Sequence, residues 1–323
     1  SVILSNHLKD WEYIDMVKNV AEKTSAVKTN TKKQKYVPEM RLGHEDVLDK
    51  KVELRVLSLG AGVQSSTLFF KVLRGEIAPV DIAIFADTGN EPKEVYEWLK
   101  YLKKEAKGII KVKTVKNDRN TGSIYDDILS EDGWFAGIPV YTKNPEDGSD
   151  GMSRRQCTDR YKIQPILQEV RKMLGVSNLR DRCVEMVMGI SYDEIQRAKY
   201  PPNKWQINAY PLVENKITRQ ECFHWMERNN LPKPPRSACI ICPYHNNGEW
   251  NRIKTEHPKE WEKAVYFDEQ LRNPKTKSQF AQRFDSDLFL HKSRIPLKEA
   301  NLEEPENYQY SLFDDECEGM CGV

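Results

Sequence analysis

The first stretch whose residue types and spacing could do chemistry is Ser58-Leu-Gly60-Ala-Gly62-Val-Gln64-Ser65-Ser66-Thr67. Glycines let a backbone turn tightly and come close to an anion. Hydroxyls and the first amides of a following helix supply donors where the helix dipole favours negative charge. The stretch lacks the Gly-Lys-Ser/Thr ending of a Walker loop and does not complete the six-residue dinucleotide pattern. Further along, Arg154-Arg155-Gln156-Cys157-Thr158-Asp159-Arg160-Tyr161-Lys162-Ile163-Gln164-Pro165 puts four cations in nine residues. With Thr158 or Asp159 capping a helix, this would make an anion pocket, and an exposed basic helix start is the plainer account. In Gly189-Ile-Ser191-Tyr-Asp193-Glu194-Ile-Gln-Arg197, Glu194 and Arg197 are three apart, as in an ion pair on one helical face.

The cysteines number seven, with two close pairs, Cys239/Cys242 and Cys317/Cys321. The N-terminal stretch SVILSNHLKDWEYIDMVKN has no basic start followed by an apolar run, so no secretory signal is expected. A cytoplasmic setting is expected instead, where metal binding or thiol chemistry is a better reading than disulfides. In Ser237-Ala-Cys239-Ile-Ile-Cys242-Pro243-Tyr-His245 the CxxC spacing lets two thiolates hold one metal, zinc or an iron–sulfur cluster. One such pair is half a site. Cys183 and Cys222 lie in apolar contexts and are expected in the core.

Positioning these residues takes alternating strands and helices. Strands are expected over 53–59, 80–87, 109–115 and 184–190. Helices are expected over 66–75, 91–108 and about 161–174, with Gly75 and Gly108 as stops. Apolar character is continuous in the second strand, as in buried parallel strands. The fold class expected is α/β, a Rossmann-like domain with a parallel twisted sheet flanked by helices. A small, mostly helical, cysteine-bearing C-terminal module follows, with helices over 250–271 and 278–284. Residues 132–155 read as an irregular, functional loop. The domains expected are 1–50, a helix (7–21) and basic arm; 51–200, the nucleotide-binding domain; 201–298, the CxxC module; and 299–323, an acidic cysteine-containing tail.

Composition bounds the rest. The chain has 323 residues, with 50 Lys and Arg against 49 Asp and Glu. That length builds one large or two ordinary domains with a real core. No apolar run approaches the roughly 18 residues of a membrane span. All the basic residues and all but eight of the acids lie in 1–298. A basic body with an acidic tail is compatible with a polyanion, nucleotide or nucleic acid, and equally with a solvated surface.

Taken together, the motifs carry a resemblance. SLGAGVQSSTL resembles the PP-loop of the adenine-nucleotide alpha-hydrolase superfamily, in the branch of phosphoadenosine phosphosulfate (PAPS) reductase and the DNA phosphorothioation ATPase. Gln64 stands where many relatives carry Asp. Asp87-Thr88-Gly89 is similar to the family's DTG segment. The segments from Arg155 to Pro165 and from Gly189 to Arg197 match further elements of that branch, so the resemblance covers about residues 54–200.

The resemblance implies an enzyme that binds ATP and joins AMP to an acceptor with release of pyrophosphate. Sulfur then displaces AMP. The acceptor is a nucleobase, a DNA backbone or a small molecule. Ser58, Gly60, Gly62, Gln64, Ser65 and Ser66 would cradle the phosphates, Mg²⁺ would be shared with Asp87 beside Thr88 and Gly89, and Arg155, Lys162 and Arg197 would neutralise charge. Cys157 would join Cys239 and Cys242 around a 4Fe–4S cluster. Zinc is the alternative metal, and the fourth ligand stays open among Cys317, Cys321, His245 and a non-protein group. A sulfur donor protein would be a partner. Two other readings remain. One is a PAPS or APS reductase with thioredoxin as partner and Cys317 as nucleophile, although the neighbouring acids disfavour a thiolate there. The other is a nucleotide-binding accessory subunit of a defence or mobile-element complex.

Overall fold

The computed structural model describes residues 39–119, 121–131, 137–273, 275 and 278–303. The expected helix at 7–21, the basic arm, Cys317, Cys321 and most of the acidic tail lie outside them. In chain order the elements are β1 (Met40–Gly43), α1 (Glu45–Leu48), β2 (Leu54–Ser58), α2 (Val63–Leu73), β3 (Ile82–Ala86), α3 (Lys93–Glu105), β4 (Lys111–Val115) and α4 (Ile124–Leu129). Then come β5 (Tyr141–Lys143), β6 (Asp150–Met152), α5 (Gln164–Met173), β7 (Val184–Met188), β8 (Gln206–Tyr210), α6 (Pro211–Glu214), α7 (Arg219–Arg228), α8 (Asn247–Glu256), α9 (Pro258–Arg272) and β9 (Asp287–Phe289).

Six strands form one sheet in the order β1-β8-β7-β2-β3-β4, parallel throughout except for the antiparallel edge strand β1. The expected mixed α/β class is what the chain adopts. All residues of β3 and β7 are buried; β3 is an unbroken apolar run, while β7 buries Glu185 paired with Arg41 and Arg55. One face packs Leu57, Phe85 and Val187 against Leu68 and Phe69 of α2, Trp98 and Leu102 of α3, and Cys222 and Met226 of α7. The other packs Val56, Ile84 and Met186 against Ile166, Leu167 and Val170 of α5. The strand order reverses at β2, whose neighbours β3 and β7 follow it in opposite directions across the sheet. In open α/β sheets such a switch point opens a crevice at the carboxyl ends of the strands.

The sheet reaches beyond the expected 51–200 domain, because β1 and β8 come from outside it. A separate core joins α4 and Val140 to Ile240, Ile241, Trp250, Phe267 and Leu288. The C-terminal module therefore shares its interior with α4, Ile138 and Val140. The expected loop at 132–155 contains β5 and β6, which pair with each other and with β9 in a three-stranded sheet. The helix expected over 250–271 is two helices, α8 and α9, broken at His257 before Pro258. The helix expected over 278–284 shrinks to one 3-10 turn, Ala281–Arg283.

Candidate functional site

Between β2 and α2 the backbone turns through residues 59–62. The strained position is not a glycine: Ala61 has φ 61°, in the left-handed region, and is fully buried. Gly62 ends the turn with extended backbone, and no side chain caps α2. The start of this eleven-residue helix is thus open to an anion. The glycine that must be a glycine is Gly189, after β7. A Cβ there would meet the Ser65 amide nitrogen at 2.7 Å and its Cα at 2.8 Å.

Side chains lock this turn from three sides. The Gln64 amide donates to Glu194 (2.9 Å) and to the Ser191 hydroxyl (3.4 Å), and Glu194 pairs with Arg197 (2.5 Å). The Trp98 indole donates to Ser66 (2.9 Å), and Ser237 donates to the Gly60 carbonyl. That last contact ties the CxxC segment to the loop.

A cavity of about 740 Å³ opens over the turn. Ser58, Gly60, Gly62, Gln64, Ser65, Lys162 and Arg197 line it. Ser66 is fully buried, accepts from Trp98 and is not in the lining. Asp87, Thr88 and Gly89 are not in the lining. Asp87 accepts from the Gly89 amide and the Tyr96 hydroxyl (both 2.8 Å) and pairs with Lys116 (3.1 Å). Burial, then that hydrogen bond and the charge of Asp87, push the Tyr96 pKa up. Gly89 has φ 73°, and a Cβ there would lie 2.7 Å from the Gly122 carbonyl.

Sequence reading missed the far wall. Glu249 is half-buried there against Arg252 (2.9 Å) and near Arg236 (3.5 Å), and Arg252 reaches Glu94 (3.3 Å). Burial alone would raise the Glu249 pKa, but the Arg252 hydrogen bond and the Arg236 charge overcome it and bring it to about 2. The one available signal was the proline-rich Leu231-Pro-Lys-Pro-Pro-Arg236 beside the CxxC.

A second, small cavity of about 30 Å³ brings Cys157, Cys239 and Cys242 together. None of the three is in a disulfide. Arg155, Lys162 and Thr88 share the wall, which is otherwise largely apolar. The Thr88 hydroxyl is 3.2 Å from the Cys239 sulfur, and that thiol donates to Glu91 at 3.8 Å. Cys157 opens a helix that runs into α5 through a π-helical turn, Asp159–Ile163. Thr158 has helical backbone and its side chain makes no cap, contrary to expectation. Its hydroxyl is buried with no partner among the described residues. Tyr161 in the π turn donates to buried Asp127 and fixes the helix against α4.

Three thiols, two cations and an apolar wall are a donor set suited to an iron–sulfur cluster or zinc. Among the described residues, however, no three His, Cys, Asp or Glu side chains are grouped closely enough to hold a metal ion. His245 is also buried; desolvation, then the Arg236 charge, lowers its pKa to about 3, and its ring stands edge-on to Trp250. Cys183 and Cys222 are core residues as expected, and burial pushes the Cys222 thiol up to about 12.

No protein-family model matches the chain. An uncharacterised protein of Methanocaldococcus jannaschii is 26% identical over 142 residues, 39% of this chain. The chain spans 28% of the length of that relative. Among solved structures, the chain is similar to the PAPS reductase of Candida auris in a phosphate complex. They are 16% identical, the match covers 57% of this chain and 76% of that one, and the TM-score is 0.36. It is also similar to the U34-tRNA thiolase NcsA of Methanococcus maripaludis with its [4Fe-4S] cluster. Here identity is 17%, coverage 80% of this chain and 78% of that one, and the TM-score 0.37. Among the described residues, no helix is long and apolar enough to cross a membrane.

Proposed function

We propose that the protein activates an acceptor with ATP and then passes sulfur to it. The observation that carries this reading is a shared wall: Lys162 lines both the large cavity and the cysteine cavity. A cation there serves charge developing in one cavity while standing beside the sulfur atoms of the other.

In the first step an acceptor oxygen attacks the α-phosphorus of ATP. The bond from that phosphorus to the bridging oxygen breaks, and its electron pair leaves with pyrophosphate. The open start of α2 and Ser65 hold the phosphates. Lys162 and Arg197 offset the charge that builds on the leaving group, where fixed cations act most strongly. In the second step a hydrosulfide-type sulfur displaces AMP, which carries away the acceptor oxygen. Neither step needs a nucleophile from the chain; positioning and charge suffice. Mg²⁺ enters with ATP, and Asp87 shapes the loop beside it. Cys157, Cys239 and Cys242 would hold an iron–sulfur cluster, whose chemistry is to present iron with an open position to sulfur.

Calorimetric titration with ATP tests the first half. Gly62→Val crowds Ser237 across the turn, and Lys162→Ala removes the shared cation; each should weaken ATP by about tenfold or more, the scale of a charge-assisted hydrogen bond. PAPS with reduced thioredoxin should give no sulfite. Unchanged ATP affinity in both variants, or sulfite from PAPS, would overturn the reading.

A further inference from the structure

Behind the lining of the large cavity lies a carboxylate that neither proposed step uses. Glu194 belongs to a 3-10 turn, Tyr192–Arg197, that follows β7. In that turn Tyr192 is 41% exposed and Glu194 is 4% exposed. A tyrosine outside and a glutamate inside reverse the preference of the two side chains for water, and a buried carboxylate costs free energy unless donors meet it. The helical run breaks at Glu194, with φ −113° and ψ 24°. One carboxylate oxygen accepts from the Gln64 amide at 2.9 Å and the other from the Arg197 guanidinium at 2.5 Å. Gln64 and Arg197 line the cavity, and Glu194 does not. The carboxylate therefore acts on the contents of the cavity only through those two side chains.

Gln64 sits in the first turn of α2, and Gly189, five residues before Glu194, packs on Ser65 of the same turn. Glu194 thus joins the segment after β7 to the helix start that would hold the phosphates. A long arginine loses much rotamer freedom when it must meet a ligand, and one already held by a buried carboxylate has met that cost on folding. Its five N–H donors form a fixed fork that can hold a carboxylate and a phosphate at once. The arrangement needs a neutral residue at 64. A carboxylate there would stand against Glu194 and compete for the same guanidinium.

We propose that Glu194 is a positioning residue, which fixes Arg197 and Gln64 so that the guanidinium meets the pyrophosphate end of the bound nucleotide. This rests on the reading of the cavity as an ATP-activating site and deepens it. Arg197 touches the phosphates, and Glu194 acts through Arg197.

The test is calorimetry on the full chain with ATP and with inorganic pyrophosphate. Arg197→Ala and Glu194→Gln should each weaken pyrophosphate about tenfold, the scale of one charge-assisted hydrogen bond. The double variant should lose little more than either, because the two residues act as a unit. Gln64→Glu should weaken pyrophosphate as well. Rescue separates positioning from support of the fold. Millimolar guanidinium chloride should restore pyrophosphate affinity to Arg197→Ala, where the Glu194 carboxylate can seat the free cation. It should not restore Arg197→Ala combined with Glu194→Gln, and sodium chloride at equal concentration should restore neither. A Glu194 that only supports the fold would not make rescue depend on its charge. If wild type binds ATP and pyrophosphate, then full affinity in Glu194→Gln, additive losses in the double variant, or no guanidinium rescue of Arg197→Ala overturns the positioning role alone. Should Glu194→Gln fail to fold, rescue of Arg197→Ala decides. If wild type binds neither ligand, the ATP reading and the positioning role fall together.

Discussion

At the scale of single residues, the nucleotide turn is set by positions that its motif does not advertise. Gly60 and Gly62 catch the eye in the sequence, yet Gly62 has ordinary extended backbone and an added Cβ would find only Ser237 at 3.7 Å. Gly189, more than a hundred residues later, is where β7 meets the first turn of α2 with no room for a side chain. Gly189→Ala should therefore cost about 1–3 kcal/mol, the usual penalty of forcing a methyl into a packed interior. It should weaken ATP as well, since Ser65 must move. Gly62→Ala should leave both nearly unchanged. Urea unfolding and calorimetry on the two variants read this directly; equal effects would show that the turn itself, not its support, sets the geometry. The candidate site was otherwise largely readable. Gly/Ser spacing, the Cys157–Lys162 segment and the Glu194–Arg197 pair each carry local signals. Glu249 and Arg252 carry none, because a surface-type charge becomes a cavity wall only through tertiary packing, and Arg236 is marked only by the proline-rich stretch it ends.

At the scale of elements, strands with long apolar runs were legible and short ones were not. β3 announces itself by a continuous apolar run, and β2, β4 and β7 by Val, Leu and Met interrupted by single polar or charged residues. β8 is QINAY, with Gln206 and Asn208 buried and hydrogen-bonded to each other at 2.8 Å, so its polarity hides a central position. β5, β6 and β9 are three residues each, shorter than any periodicity can mark. The junction of α8 with α3 carries a pH signature of its own. Glu249 has its pKa lowered to about 2, against the usual 4.5 of a free glutamate. A depressed carboxylate contributes stability that is present above the unfolded value and is lost as pH falls through the folded one. Glu249→Gln should remove that contribution, so its urea stability should fall less than wild type between pH 5 and pH 3. Identical pH slopes for the two proteins would mean that Arg236 and Arg252 do not hold the carboxylate ionised.

At the scale of the whole molecule, two cores meet along one line. The parallel sheet offers its switch point to the nucleotide turn, and the second core carries the CxxC segment to the same edge through Ser237 and Gly60. Lys162 stands where the two cavities adjoin. The chain could be divided in sequence into a sheet domain and a cysteine module, but the module borrows α4 and the sheet borrows β1 and β8, because each strand or helix lies where its apolar face is covered. On the proposed function, thiols from both parts serve one centre beside the nucleotide. Iron and acid-labile sulfide measured per chain after anaerobic reconstitution, with the visible spectrum, test it most directly. A cluster is expected in the wild type, lost in Cys157→Ser, Cys239→Ser and Cys242→Ser and kept in Cys183→Ser and Cys222→Ser. Wild-type iron, sulfide and spectrum in all three of the first group would contradict it.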